Sequence, residues 1–232
     1  RSKKTVEMTS YIKNTLHIPA LAHLTCVGNT KSDIDAVITD LKAAGINKVL
    51  ALRGDRPAYM TDEQYNAREF EHACDMIAYL KETTDFQIAA ACYPEKHFEA
   101  ASFKEDVMFV KQKVDLGAEM LISQLFFDNE MFYRFEEMTQ IAGITVPICA
   151  GIMPITTSKQ LGTTVSLSGS SVPKKLADII AKYDDKPEDM RKAGIEYAAN
   201  QILDLKAHEV KDIHLYSMNK AKTTKEIFEA IR

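Results

Sequence analysis

Apolar residues along the chain follow two alternating rhythms: short unbroken runs, and longer stretches in which they return every three or four positions. Ala20 to Val27 is the first run, and Asn29 or Thr30 follows it where a helix N-cap belongs. Ile34, Val37, Ile38 and Leu41 then recur at helical spacing, and Gly45 ends that helix. Lys48 to Leu52 predicts the next strand and Glu69 to Glu82 the next helix. Gln87 to Cys92 predicts a strand, and Phe103, Val107, Val110 and Val114 mark a helix face closed by Gly117. Glu119 to Gln124 follows as a strand, with a helix from Asn129 to Ala142. Pro147 to Ala150 is a short strand before a helical region from Ser158 to Tyr183, with SLSGSS at Ser166 to Ser171 read as a loop. A long helix from Pro187 to about His208, a strand from Asp212 to Tyr216 and a helix from Thr223 to Ile231 complete the series.

Six βα units in strict alternation predict an α/β fold, a parallel sheet covered by helices. Two closures compete. An open doubly wound sheet lacks support, because no GxGxxG turn follows any strand. A (β/α)8 barrel of the TIM type needs eight strands, two more than the pattern supplies. The chain also opens inside a helical pattern, with Val6, Met8, Ile12 and Leu16 apolar. A barrel lacking its first two strands accounts for both facts. The expectation is a single catalytic domain over residues 1–232, N-terminally incomplete by roughly 60 residues for an ordinary barrel.

Composition narrows the function classes. Hydrophobic residues are 46% and charged residues 27%, as in an ordinary globular domain, and the net charge of −4 offers no basic field for nucleic acid. The longest apolar run, Ile144 to Ile155, is broken by Pro147, Gly151 and Pro154, and no leader or membrane span is expected. Cys26, Cys74, Cys92 and Cys149 form no CxxC pair and read as free thiols of a cytoplasmic protein. His23, His97 and Asp55 lack metal-ligand spacing, so no metal site is expected. GxSxG, Walker and HExxH motifs are absent from the sequence.

In a barrel the chemistry sits at the C-terminal ends of the strands. Those ends carry His23 to Cys26, Arg53-Gly54-Asp55, Tyr93 to His97, Gln124 to Asp128, Gly151 to Gln160 and Tyr216 to Lys220. Arg53-Gly54-Asp55 either lets backbone approach a ligand between two charges or is a surface turn with a local ion pair. Tyr93-Pro94-Glu95-Lys96-His97 either offers an aromatic face to a flat heterocycle or is a packed turn. The Gln124 amide can donate and accept toward a heterocycle, or cap the strand end.

Six phrases taken in order resemble methylenetetrahydrofolate reductases from about Thr5 to Ile231. They are HLTC at His23, ALRGD at Ala51, YPEKHFEA at Tyr93, KVDLGAEMLISQLFFD at Lys113, GIMPI at Gly151 and HLYSMNK at His214. The resemblance implies an FAD-dependent barrel that reduces 5,10-methylenetetrahydrofolate with NADH or NADPH by ping-pong kinetics. It also implies a place in one-carbon metabolism and methionine biosynthesis, in a homo-oligomer without nucleic-acid or membrane partners. His23, Arg53, Gly54, Asp55 and Ala73 fall on flavin-binding positions, as do Tyr93, His97, Ala100, Asp106 and Lys113. Gln124, Gln160, Tyr216 and Lys220 fall on folate-binding positions, with Asp55 between flavin and folate and Asp55 and Gln124 as the catalytic pair.

The chain departs from that family in several places. The FEFFPP-like strand whose first glutamate protonates the folate is not among these residues, so the proton donor has no assignment. Lys220 stands where many relatives carry arginine and keeps the charge without the fork, and Phe109 and Gln112 also differ. Two other readings remain: another flavin barrel such as proline dehydrogenase, or a ligand-binding barrel without catalysis.

Overall fold

The alternation is realised in a computed structural model that describes residues 2–232. Helix α1 (Ser2–Ser10) runs into a π-helical turn (Tyr11–Thr15) and then strand β1 (Ala22–Thr25). The series continues with α2 (Lys31–Ala43), β2 (Lys48–Leu52), α3 (Asp62–Asn66), α4 (Ala73–Thr83), β3 (Gln87–Cys92) and α5 (Phe103–Asp115). Next come β4 (Met120–Ser123), α6 (Asn129–Ile141), β5 (Ile148–Ile152), α7 (Ser158–Ser168) and α8 (Lys174–Tyr183). Helix α9 (Pro187–Ala207), β6 (Ile213–Leu215) and α10 (Ala221–Ala230) close it. The six strands lie in the sheet in chain order, β1-β2-β3-β4-β5-β6. That order never reverses, whereas a doubly wound sheet reverses at its switch point. The six strands that the pattern supplies are found among the described residues, and no pairing there joins β1 to β6. Closure is therefore not seen, since a closed barrel needs every strand paired on both edges.

Two compact units make up the chain, Arg1–Ala91 with Phe109–Leu121, and Cys92–Met108 with Ile122–Arg232. In the first, β1, β2 and β3 pair in parallel with Ala22 opposite Val49 and Val49 opposite Ile88. This register puts Ala22, Leu24, Val49, Ala51, Ile88 and Ala90 on one face, and all six are buried. Helix α2 contributes Ile34, Val37, Ile38 and Leu41 to that core, and α4 contributes Met76, Ile77 and Leu80. Each such side chain stabilises the fold by about 1.5–3 kcal/mol. Thr30, one of the two expected caps, starts α2 by accepting from Asp33 N–H while Asp33 accepts from Thr30 N–H in return. The other, Asn29, instead donates to the Thr25 carbonyl at 2.8 Å.

In the second unit β5 and β6 pair in parallel, with Gly151 opposite His214. One cluster joins Phe126, Phe132, Ala150 and Ile152 to Ile195, Ala198, Ile202 and Leu205 of α9. A second gathers Leu125, Phe127, Met153 and Ile155 with Leu176 of α8 and Met190 of α9.

Several expected bounds move for local reasons. The helical region from Ser158 to Tyr183 is two helices, because Gly169 takes the left-handed conformation that caps α7 and Pro173 precedes α8. SLSGSS is accordingly the last turn of α7 followed by a connection. The helix expected from Glu69 begins at Ala73, because Asp75 accepts from the Glu71 and His72 N–H groups and fixes the start there. The short α3 before it breaks no apolar period and is set by its own Thr61 and Gln64 capping pair. At the chain start Met8 and Leu16, two of the four apolar positions of the opening helical pattern, are 62% and 48% exposed, while Thr9 is buried. The π-helical turn over Tyr11–Thr15 departs from the 3.6-residue period between Ile12 and Leu16.

Candidate active site

In the first unit, β1 alternates strictly. Ala22 and Leu24 enter the core, and His23 and Thr25 face the opposite way. Partial burial pushes the His23 imidazole below its ordinary pKa. Past their strands, β1 and β2 stay coupled: Cys26 N–H donates to Leu52 O at 3.0 Å and Val27 N–H to Arg53 O at 2.8 Å. That coupling brings Gly54 against Thr25. Gly54 sits at φ +83°, and a Cβ built there would lie 3.0 Å from Thr25 Cβ and 3.2 Å from Thr25 Cγ2. Both the backbone angle and the neighbour demand glycine. Asp55 follows, exposed. Ala73 opens α4. Lys113 on α5 reaches the sheet, donating to Ala91 O at 2.8 Å. The first unit thus brings Arg53, Gly54 and Asp55 to the end of β2 beside His23 and Thr25, with Lys113 anchored on β3.

In the second unit the chain leaving β3 forms one knotted turn. Lys96 takes φ +74°, its N–H donates to Tyr93 O at 3.1 Å and its ammonium to His97 O at 3.2 Å. Tyr93 meets His97 edge to face at 4.6 Å, and His97 stacks on Phe98 at 4.5 Å. Glu99 N–H donates to His97 Nδ1 at 3.2 Å, which ties the imidazole back onto the turn. Asp106 is buried and accepts from His97 N–H at 3.2 Å, which makes it a strut beneath the turn. Ala100 N–H closes the turn onto His97 O at 3.1 Å. Glu95, outside the expected set, accepts from Ser171 N–H at 2.9 Å with one carboxylate oxygen, and its other oxygen is buried without a partner.

Gln124 N–H donates to Cys92 O at 2.8 Å, continuing the β3–β4 ladder. Its side-chain oxygen accepts from Leu125 N–H at 3.0 Å. That orients the amide, leaving its NH₂ without a hydrogen bond among the described residues. Beside it, Ser123 Oγ accepts from Gly151 N–H at 2.8 Å and donates to Gln124 O at 2.9 Å. Tyr216 reaches over Gly151 to donate to Ser123 O at 2.9 Å. A Cβ at Gly151 would lie 2.4 Å from Ser123 O and 2.9 Å from the Tyr216 ring, so glycine is what admits the tyrosine. Burial above all, then Cys92 and Tyr93, raises the Tyr216 pKa and keeps the phenol protonated.

Gln160 and Lys220 also meet, though not as two independent ligand contacts. Gln160 Nε2 donates to Pro154 O at 2.9 Å, and its Oε1 accepts from Thr156 N–H at 3.1 Å and from Lys220 Nζ at 3.4 Å. Lys220 Nζ also donates to Thr156 Oγ1 at 2.9 Å. Ser123 lies outside the strand ends singled out in the sequence, while Glu95 and Thr156 lie within them without a role of their own. Ser123 left a trace as a hydroxyl ending the apolar strand MLIS. Among the described residues no group of His, Cys, Asp or Glu could hold a metal ion, and no helix is long and apolar enough to cross a membrane.

Comparison with known proteins places these elements in context. A family model described as methylenetetrahydrofolate reductase matches residues 1–232. The 5,10-methylenetetrahydrofolate reductase of Pectobacterium carotovorum is 33% identical over 219 residues, covering 94% of this chain and 72% of the relative. That of Escherichia coli is 35% identical over 211 residues, covering 91% and 69%. Among solved structures, a Clostridium thermocellum protein that binds two copies of 5-methyl-5,6,7,8-tetrahydrofolic acid superposes with a TM-score of 0.63 at 14% identity. The alignment covers 99% of this chain and 86% of that one, and at such identity the likeness is one of fold.

Proposed function

The chain belongs to the methylenetetrahydrofolate reductase family, and from that premise we propose that it reduces 5,10-methylenetetrahydrofolate to 5-methyltetrahydrofolate. NADH or NADPH is the electron source, FAD the cofactor and a (β/α) barrel the framework. The observation that carries this reading is a family match spanning every turn described above.

The donors present suit FAD. Gly54 keeps main chain accessible where a Cβ would fill the space against Thr25. Arg53 and Lys113 supply the fixed positive charge a diphosphate needs. Tyr93 and the ring of His97 supply flat faces, with Asp106 bracing the turn that carries them. His23, Ala73 and Ala100 belong to the same flavin-binding set. When bound, FAD supplies a two-electron relay, so pyridine nucleotide and folate react in turn.

The remaining residues act on the folate. Asp55 sets a carboxylate where it stabilises the cationic iminium formed as the methylene bridge opens. Gln124 donates its NH₂ to the pterin, its carbonyl being held by Leu125. Tyr216 shapes the floor beside Gly151, and Lys220 takes the glutamyl carboxylate. Gln160 serves that contact by holding Lys220.

Stopped-flow measurement of the two half-reactions in Asp55→Asn tests the reading. Folate reduction is expected to slow on the order of a hundredfold more than oxidation of the pyridine nucleotide, because the folate must already be a cationic iminium before it can accept hydride, and that cation depends on the carboxylate. Equal losses in both would remove Asp55 from the role.

A further inference from the structure

We propose that Thr156 is a positioning residue for Lys220, its hydroxyl setting the direction in which the ammonium meets the glutamyl carboxylate of the folate. The inference rests on the reading of Lys220 given above. Thr156 ends the buried run Met153–Thr156 and is itself only 5% exposed. Its hydroxyl works in both directions, accepting from Lys220 Nζ at 2.9 Å and donating to Gln160 Oε1 at 3.1 Å. Gln160 is fixed in turn through Pro154 O at 2.9 Å and Thr156 N–H at 3.1 Å. The chain from buried backbone to ammonium is therefore continuous.

Three features make this a device for presenting charge rather than a packing contact. First, both acceptors are neutral. Lys220 pairs with no carboxylate among the described residues, so its charge is held in place without being cancelled. Second, two of the three ammonium hydrogens are engaged, which leaves one for a ligand and defines a single-point contact with a carboxylate. Third, the turn delivering Lys220 is strained. Met218 and Asn219 take consecutive left-handed angles, φ 49° and 58°, and Lys220 N–H closes onto Ser217 O at 2.9 Å. Side-chain-bearing residues persist in that conformation where their surroundings over-determine it, as clamps on ligands do. A flexible lysine stem would otherwise lose freedom on meeting the ligand, and Thr156 restricts it beforehand.

Calorimetric titration of the full, FAD-loaded protein tests this with two ligands, 5-methyltetrahydrofolate and the matching pteroate that lacks the glutamyl group. Thr156→Val, which keeps the shape and removes the hydroxyl, is expected to weaken folate binding about tenfold and leave pteroate binding unchanged. Thr156→Ser should restore the affinity for folate. If Lys220→Ala binds folate as tightly as the parent, the reading of Lys220 falls and the proposal with it. If Lys220→Ala weakens folate binding while Thr156→Val does not, or if Thr156→Val weakens both ligands equally, the role of Thr156 alone is overturned. Thermal melts accompany each variant. Should the valine protein melt early, Thr156→Ala replaces it under the same outcomes.

Discussion

Gln124 illustrates how much a single side chain can hide from its sequence context. Its position at a strand end leaves two readings open, a cap or a ligand contact, and the structure shows one amide doing the first while its other half remains available for the second. Glutamate at this position keeps the oxygen that accepts from Leu125 and loses the NH₂. Gln124→Glu is therefore expected to melt close to the parent yet bind folate more weakly, by about 0.5–1.5 kcal/mol for the lost hydrogen bond alone. A destabilised variant with unchanged folate affinity, seen in paired melts and titrations, would make Gln124 a cap and nothing more. Gly54 is the opposite case, since its need for glycine follows from an angle and a neighbour that no local pattern reveals. Alanine there should cost about 1–2 kcal/mol for the left-handed backbone, and more if Thr25 cannot yield. Denaturant unfolding of Gly54→Ala measures it.

At the scale of elements, α9 depends on a contact that its own periodicity conceals. A Cβ at Gly194 would lie 1.7 Å from the carbonyl of Ile155, so the helix rests directly on the backbone that leads from β5 toward Thr156. Gly194→Ala should destabilise the protein by about 3 kcal/mol or more, because backbone rather than a flexible side chain must move. A melting temperature within a degree or two of the parent would refute that account. Helix α9 is also tied to α6 through Asp204, which accepts from Asn129 and Tyr133 at 2.7 Å each. These bonds hold the Asp204 carboxyl below its ordinary pKa. A depressed folded pKa contributes stability that is fully present above the unfolded value of about 3.9 and is lost as pH falls through the folded value. The difference in melting temperature between parent and Asp204→Asn should thus be constant from neutral pH down to about 5 and shrink below it. A difference that grew under acid would reverse the sign and the explanation. The helices and strands themselves were largely legible, because apolar spacing of 3.6 or of continuous runs survives in each. The bounds that moved did so at caps and at Gly169, where hydrogen bonds and backbone angle rather than hydrophobicity decide.

For the whole molecule, the flavin is the assignment with the widest consequences. A ligand that binds only the folded state raises stability by about 2.7 kcal/mol at a hundredfold excess over its Kd. Melts of protein stripped of flavin, with and without added FAD, should therefore separate clearly, and coincident curves would count against the cofactor. The order of elements, the six strands and their parallel sheet were present in the linear pattern, because alternation is a local property of the chain. Closure was not, since a barrel was expected and no pairing among the described residues joins the first strand to the last. Nor did the sequence distinguish residues that would touch a ligand from those that hold them. Asp106 beneath His97, Ser123 beneath Tyr216 and Thr156 beside Lys220 are separated from their partners by 9, 93 and 64 positions. Local spacing specifies which face of an element is apolar. Only the folded chain, by bringing distant donors and acceptors within hydrogen-bonding distance, decides which polar residue presents its charge and which keeps it in place.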